Sequence, residues 1–291
     1  MKSSAVSGQQ PEPRRPPDVV EVVGIRFHNL TRREAAEAIA ALARADGKAY
    51  VVKPYSEFVP RAAREPRIRE ILNGADLCLA DGIGILWAAH YLSLPGGPLR
   101  ALAQLPLSLA AVGLNQGVIR TPLRGNMAGV DLTWEMLARL DEAGSRVFLL
   151  GGTDEEVHGA REQIEARFQG LRVVGARRGY FNVSGKENEA ILRAIDEAQT
   201  EVLLVAMGFP RQEEWIAENI PRLKVNVAVA EGGSFSFISG ATPRAPPWLQ
   251  RMGLEWLYRL ARQPWRLRRQ LAIPRFIWLV IGERMRASRV G

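Results

Sequence analysis

The chain has 291 residues, 47% hydrophobic and 24% charged, which is enough apolar material for a substantial core and excludes a disordered protein. Its single cysteine, Cys78, allows no internal disulfide and suits a reducing compartment. The net charge is +8, yet residues 244–291 alone hold eleven arginines, no lysine and two glutamates, so the excess sits at the C-terminal end and the remainder sums to −1.

Residues 1–18 are polar and proline-rich and read as a disordered tail rather than a signal peptide. Val19–Phe27 reads as a strand or hairpin. Thr31-Arg-Arg-Glu34 has capping-box spacing and opens an alanine-rich helix to about Ala45. A strand at Ala49–Lys53 and a short helix at Glu65–Leu72 follow. A compact strand at Leu77–Ala80 then runs straight into Asp81-Gly82 and a helix over Ile83–Tyr91. Residues 92–124 read as an irregular insertion, punctuated by proline and glycine, with one apolar helix candidate in Ala101–Leu114.

Alternation then resumes. The pattern predicts a helix over Leu132–Ala143, a strand at Val147–Leu150, and a helix from a second capping box, Thr153–Glu156, to Phe168. A strand at Leu171–Val174 precedes a third capping box, Ser184-Gly-Lys-Glu187, and a helix to Ala198. Strand Val202–Ala206, helix Gln212–Ile220 and strand Val225–Ala230 complete the series. Strands and helices alternating at this spacing predict an α/β fold with a mainly parallel sheet and helices on both faces. The expected division is the tail, an α/β domain over 19–245 carrying the 92–124 insertion, and a helical arginine-rich appendage over 246–291.

No run reaches the roughly 18–20 apolar residues needed to span a bilayer. The appendage interleaves arginine with Trp248, Trp256, Trp265 and Trp278. Guanidinium forks match phosphate oxygens, and tryptophan prefers a boundary between water and apolar matter. This combination favours a phosphate-bearing ligand and an anionic membrane surface. It disfavours nucleic acid, whose binding surfaces mix lysine with arginine across a domain.

In open parallel sheets, ligands bind where strands end and helices begin. The first unusual exit is Ala80-Asp81-Gly82. Its aspartate is placed either to meet a substrate or to cap the next helix, and spacing alone leaves both readings open. The second is Gly151-Gly152 before Thr153, where backbone N–H groups could approach a phosphate or ribose, although tight turns use the same residues. The third is Gly208-Phe-Pro-Arg211-Gln212-Glu213-Glu214. Here Arg211 and Gln212 project from a helix's first turn, Gln212 with an amide suited to a uracil or sugar, while Glu213 and Glu214 complement the helix dipole.

Other chemistry finds little support. His28, His90 and His158 are scattered, and no cysteine or histidine has metal-ligand spacing, so a zinc site is not expected; no cofactor is expected either. There is no GxSxG element, Walker A loop or GxGxxG fingerprint. Cys78, in an apolar run, reads as a small buried residue.

Taken in order, Ala80-Asp-Gly-Ile-Gly84, Gly129-Val-Asp131, Phe148-Leu-Leu-Gly-Gly152, Gly208-Phe-Pro-Arg-Gln-Glu213, Gly232-Gly-Ser-Phe235, Arg244-Ala-Pro246 and Gly253-Leu-Glu-Trp-Leu-Tyr-Arg259 resemble the WecG/TagA/CpsF glycosyltransferases, family 26. The likeness runs from about Val19 to Arg286, and the last block is its most specific part. It implies a Rossmann-like fold and an inverting, metal-free transfer of an N-acetylmannosamine-type sugar. The donor would be a UDP-sugar, and the acceptor a sugar on polyprenyl pyrophosphate at the cytoplasmic membrane face, in surface polysaccharide synthesis. By the same resemblance Asp81 is the general base, with Gly82 beside it, and Gln212 and the Gly151-Gly152 turn bind donor. Asp131, Gly208 and Arg211 lie in matching motifs and count as substrate-binding candidates. Arg259, Arg266 and Arg269 match arginines that would close over the site and neutralise the UDP leaving group.

The family's TxN element after the second strand is here Lys53-Pro54-Tyr55, with Lys53 on the threonine and Tyr55 on the asparagine position. Lysine beside Asp81 would hold that carboxylate ionised or touch a phosphate, and it would alter the sugar pocket. The apolar 92–124 segment suggests a lipid-facing lip. Glu231, before Gly232-Gly233, is unusual and unaccounted for. The resemblance leaves a homo-oligomer open. Two other readings compete: a UDP-sugar epimerase or dehydrogenase, which lacks the dinucleotide fingerprint, and a non-catalytic membrane adaptor, which leaves the strand exits without purpose.

Overall fold

A computed structural model of the chain describes residues 18–127, 130–246, 249, 255–262, 264, 267 and 271–290, with the backbone alone at 255, 256, 259 and 288–290. The expected tail and the sites of Arg266 and Arg269 lie outside the described residues, as does the side chain of Arg259.

Residues 19–28 form an antiparallel hairpin of β1 (Val19–Val22) and β2 (Ile25–His28). Helix α1 (Arg32–Arg44) starts on the predicted capping box, with Thr31 and Glu34 exchanging both bonds. Then come β3 (Ala49–Val52), α2 (Phe58–Ala62), α3 (Pro66–Asn73), β4 (Leu77–Cys78), α4 (Ile83–Ser93) and α5 (Pro98–Leu114). The second half runs α6 (Val130–Glu142), β5 (Arg146–Gly151), α7 (Asp154–Arg167), β6 (Arg172–Arg177), α8 (Lys186–Glu197), β7 (Val202–Ala206), α9 (Arg211–Asn219), β8 (Val227–Ala230) and α10 (Ser234–Ile238). Two further helices, α11 (Glu255–Arg262) and α12 (Ala272–Val290), follow.

Strands β3 to β8 form a six-stranded sheet in the order β4-β3-β8-β7-β5-β6, with every pairing parallel. Alternate side chains point to opposite faces of a strand, and the two cores follow that period. Val52, Phe148, Leu150, Leu203, Val205, Ala228 and Ala230 join one cluster with α2, α3, α4, α8 and α9. Val51, Val147, Leu149, Val202, Leu204, Val227 and Val229 join the other with α1, α6, α7 and α10. The chain is therefore an α/β protein with a parallel sheet flanked by helices. All its strand exits lie along one edge.

Two local expectations change. The third capping box does not form: the N-cap of α8 is Gly185, with φ +74° and no side-chain cap, and Glu187 accepts instead from the Asn182 backbone N–H. The 92–124 segment is mostly regular, since α5 spans seventeen residues despite Pro106. It is clasped to α4 by two inward bonds, Trp87 Nε1 to Ser108 Oγ at 3.1 Å and Tyr91 Oη to the Ala101 carbonyl at 3.0 Å. Its outer face is left apolar: Leu99, Leu107 and Leu114 are 85%, 75% and 87% exposed.

Helix α12 returns to the body. Phe276 and Val280 are buried in the same cluster as α4, and the Phe276 ring meets Trp87 edge-on at 6.0 Å. Burying one phenylalanine stabilises by about 1.5–3 kcal/mol. Trp278, on the opposite side of the helix, is 75% exposed. Among the described residues, no helix is long and apolar enough to cross a membrane.

Candidate active site at the carboxyl edge of the sheet

Asp81 stands just past β4. Its backbone N–H bonds the Pro54 carbonyl at 3.1 Å, which fixes the turn against the exit of β3. The helix-capping reading does not hold, because the N-cap of α4 is Gly82. Gly82 adopts φ +85°, where a side chain would be strained. Its N–H donates to Asn126 Oδ1 at 2.9 Å, and the Met127 N–H donates to the Ala80 carbonyl at 2.9 Å. The Asn126 loop thus braces Asp81 from one side. Tyr55 also borders the turn, its Cβ 3.9 Å from where a Gly82 side chain would begin. Sequence reasoning missed Asn126, which belongs to no recognisable spacing.

Lys53, at the end of β3, is not Asp81's counter-ion. Its Nζ lies 2.8 Å from Glu231 Oε2 at the end of β8. The same oxygen accepts from Thr133 Oγ1 at 2.6 Å. Lys53 and Glu231 are both buried, so the unusual lysine and the unexplained glutamate account for one another. The available signal was two opposite charges, each ending an apolar strand.

Gln212 does not project into the cleft. It is buried, and its Oε1 accepts from the N–H groups of Gly208 and Gly232, each at 3.0 Å. Its Nε2 donates to Glu213 Oε1 at 2.8 Å. The amide therefore ties the β7 and β8 exits together. Glu213 does more than complement a dipole: it is fully buried, and desolvation lifts its carboxyl to about 7 against the opposing hydrogen bond from Gln212. Arg211 turns sideways, donating to the Phe181 carbonyl with its guanidinium 5.4 Å from the Phe181 ring centre.

The Gly151-Gly152 turn is tightly enclosed. Gly151 has φ +151° and Gly152 φ +64°. The Gly152 N–H is spent on the Ala206 carbonyl at 2.9 Å, and its own carbonyl accepts from Gly179 at 2.9 Å. This N–H is therefore not available to a phosphate. The second capping box, Thr153 with Glu156, forms as expected. Asp131 is also engaged, paired with Arg244 through both carboxylate oxygens and with Arg32 at 3.5 Å. It joins the start of α6 to the segment after α10.

Beside the Asp81 turn opens a cleft of about 560 Å³, lined by Tyr55, Glu57, Pro60, Arg61, Arg64 and Phe209, with Leu271 just before α12 and Ala272 and Arg275 in its first turn. Phe209 stacks on Phe58 with ring centres 3.6 Å apart, and Tyr55 meets Phe58 edge-on at 4.7 Å. Lys53, Tyr55, Asp81, Gly82, Gly151, Gly152, Gly208 and Gln212 thus share one edge of the sheet. Arg211 and Asp131 face bonds of their own.

Cys78 is buried as expected, and its thiol is pushed far up by desolvation. Its backbone N–H donates to His28 Nδ1 at 3.0 Å, and burial lowers the His28 imidazole. Among the described residues, no cluster of three metal-binding side chains occurs.

A parallel sheet with a carboxylate at a strand exit, beside a cleft lined by aromatic and cationic side chains, is the ligand-binding arrangement of an open α/β fold. The model of the glycosyl transferase WecG/TagA/CpsF family matches residues 20–109 and 111–290, and the chain belongs to that family. It is a glycosyltransferase. Among its relatives are proteins named N-acetylglucosaminyldiphosphoundecaprenol N-acetyl-beta-D-mannosaminyltransferase. The one from Bacillus spizizenii is 30% identical over 233 residues, covering 80% of this chain and 79% of its own. That from Staphylococcus aureus strain MW2 is 27% identical over 263 residues, covering 90% and 91%. That from Bacillus subtilis strain 168 is 32% identical over 214 residues, covering 74% and 72%.

Proposed function

We propose that this glycosyltransferase moves an N-acetylmannosamine-type sugar from a UDP donor, with inversion, onto a sugar carried by polyprenyl diphosphate. The observation that carries the reading is the placement of Asp81. It sits at a strand exit, relieved of helix capping by Gly82 and held by the Pro54 carbonyl and the Asn126 loop.

Asp81 takes the proton of the acceptor hydroxyl as that oxygen attacks the anomeric carbon. The bond from that carbon to the diphosphate oxygen breaks, and UDP leaves with the electron pair. The donor lies across the β5 and β7 exits. Gly208 and the Gly151-Gly152 turn shape that floor, and Gln212 holds it from beneath. Arg259, Arg266 and Arg269 close over the nucleotide and neutralise the departing diphosphate, where a preorganised cation acts most strongly. The buried Lys53–Glu231 pair forms the base of the sugar pocket, with Tyr55 at its side.

The reaction takes place at the anionic inner face of the cell membrane. The outward leucines of α5 and the exposed Trp278 enter the interface, and the arginines of 246–291 attract anionic lipid, each contributing roughly 1 kcal/mol. The segment over 246–291 acts as the membrane-associating part of the chain. The test is a UDP-release assay with a polyprenyl-diphosphate-linked N-acetylglucosamine acceptor and a panel of UDP-sugars. Acceptor-dependent release is the expected result, and its absence for every donor would refute the reading.

A further inference from the structure

The cleft between α2 and the start of α12 contains three guanidinium groups that no step above employs. Arg61 is braced by both oxygens of Glu65 at 3.0 Å, and its guanidinium lies 5.7 Å from the Phe209 ring centre. Arg64 spends its Nε on the Pro60 carbonyl at 3.2 Å, leaving the terminal nitrogens of the fork for other partners. Arg275 is exposed on α12. Against them stand two carboxylates, Glu57 in the lining and Glu65 behind Arg61, so the balance stays cationic. Arginine forks gathered from two separate elements match an anion with several oxygens in different directions, as a diphosphate presents.

The cleft's position decides which diphosphate. Tyr55 in its lining borders the Gly82 turn and therefore Asp81. Leu271, also in the lining, is 65% exposed just before α12, and Trp278 faces solvent on that helix. A ligand lying along it would have its sugar near the base, its diphosphate among the arginines and its apolar chain beside the exposed leucine and tryptophan. The proposed donor site lies across the β5 and β7 exits and adjoins the cleft at Phe209, next to Gly208. We propose that Arg61, Arg64 and Arg275 bind the diphosphate of the lipid-linked acceptor. The inference rests on the glycosyl-transfer reading above and adds a site to it.

The test is direct binding, which needs no turnover. Full-length protein is titrated calorimetrically with a short-chain prenyl diphosphate, with the matching prenyl alcohol and with UDP. Wild type, Arg64→Ala/Arg275→Ala and Arg64→Lys/Arg275→Lys are compared. The expected result is at least about a tenfold loss of prenyl diphosphate affinity in the alanine variant, partial retention in the lysine variant, and unchanged UDP affinity. Inorganic pyrophosphate should compete with the prenyl diphosphate on wild type. Equal prenyl diphosphate affinity in wild type and the alanine variant overturns the proposal, as does a prenyl alcohol that binds as well as the diphosphate. A matching fall in UDP affinity assigns the arginines to the nucleotide and overturns it too. Binding as expected without sugar transfer would count against the catalytic reading alone.

Discussion

Lys53 and Glu231 meet 2.8 Å apart at the ends of neighbouring strands, with side chains only 6% and 1% exposed. An ion pair this deep has lost its hydration, so its energetics are asymmetric. Removing one partner strands a buried charge, whereas removing both does not.

Glu231→Gln or Lys53→Met should therefore destabilise the fold by about 3–5 kcal/mol. The double replacement Lys53→Thr/Glu231→Val should cost distinctly less than either single change. Urea unfolding of the four proteins measures this. Equal or additive losses would show that the two charges do not depend on each other. The same double variant should reorder preference across a UDP-sugar panel, since the pair underlies the proposed sugar pocket.

Glu213 predicts a pH effect. Its carboxyl is raised from 4.5 to about 7 in the folded chain, chiefly by desolvation. The native state thus keeps a proton that the unfolded state releases. This contribution to stability is fully present below pH 4.5, falls as pH rises toward 7, and is flat above. Glu213→Gln, which keeps the acceptor for Gln212, should flatten that slope. It should also raise stability at pH 8, by up to about 3 kcal/mol. Thermal melts across this range give the answer, and a parallel pH profile in the variant would count against a buried neutral carboxyl.

Asp81→Asn should lower turnover at least about a hundredfold, the typical scale of a lost general base. UDP should stabilise the variant and wild type alike against heat. Near-normal turnover in the variant would mean that another group takes the proton.

The outward apolar side chains of α5 and α12 should be replaceable without harm to the fold. Leu107→Glu and Trp278→Ala change exposed positions, so melting temperatures should stay close to wild type. Sedimentation with anionic vesicles should fall by several-fold for each and further for both, since each loses part of a large apolar side chain's burial. Vesicle binding at the wild-type level would remove this face from the interface.

The alternating period and two of three capping boxes made the α/β layering legible in the sequence, because they are local properties. The third box failed because the helix takes Gly185 as its N-cap, and Glu187 accepts from the Asn182 N–H in place of Ser184. Residues at the strand exits were recognisable, but their directions were not. Gln212 was expected to face a ligand, yet it faces inward because two glycine N–H groups at separate exits both need an acceptor. Lys53 and Glu231 are 178 positions apart, so their pairing emerges only when β3 and β8 become neighbours. The arginine cleft was invisible for the same reason, being shared by α2 and a helix more than two hundred residues later.

Phe276 and Val280 place the last long helix inside the hydrophobic cluster that also supports α4 and the Asp81 turn. Cutting the chain after Pro246 would unroof that cluster along with removing arginine and tryptophan. Lost catalysis in such a truncation would then report a weakened scaffold as readily as lost contact with lipid. Attachment and folding share one helix here, and surface changes at Trp278 separate them where shortening the chain cannot.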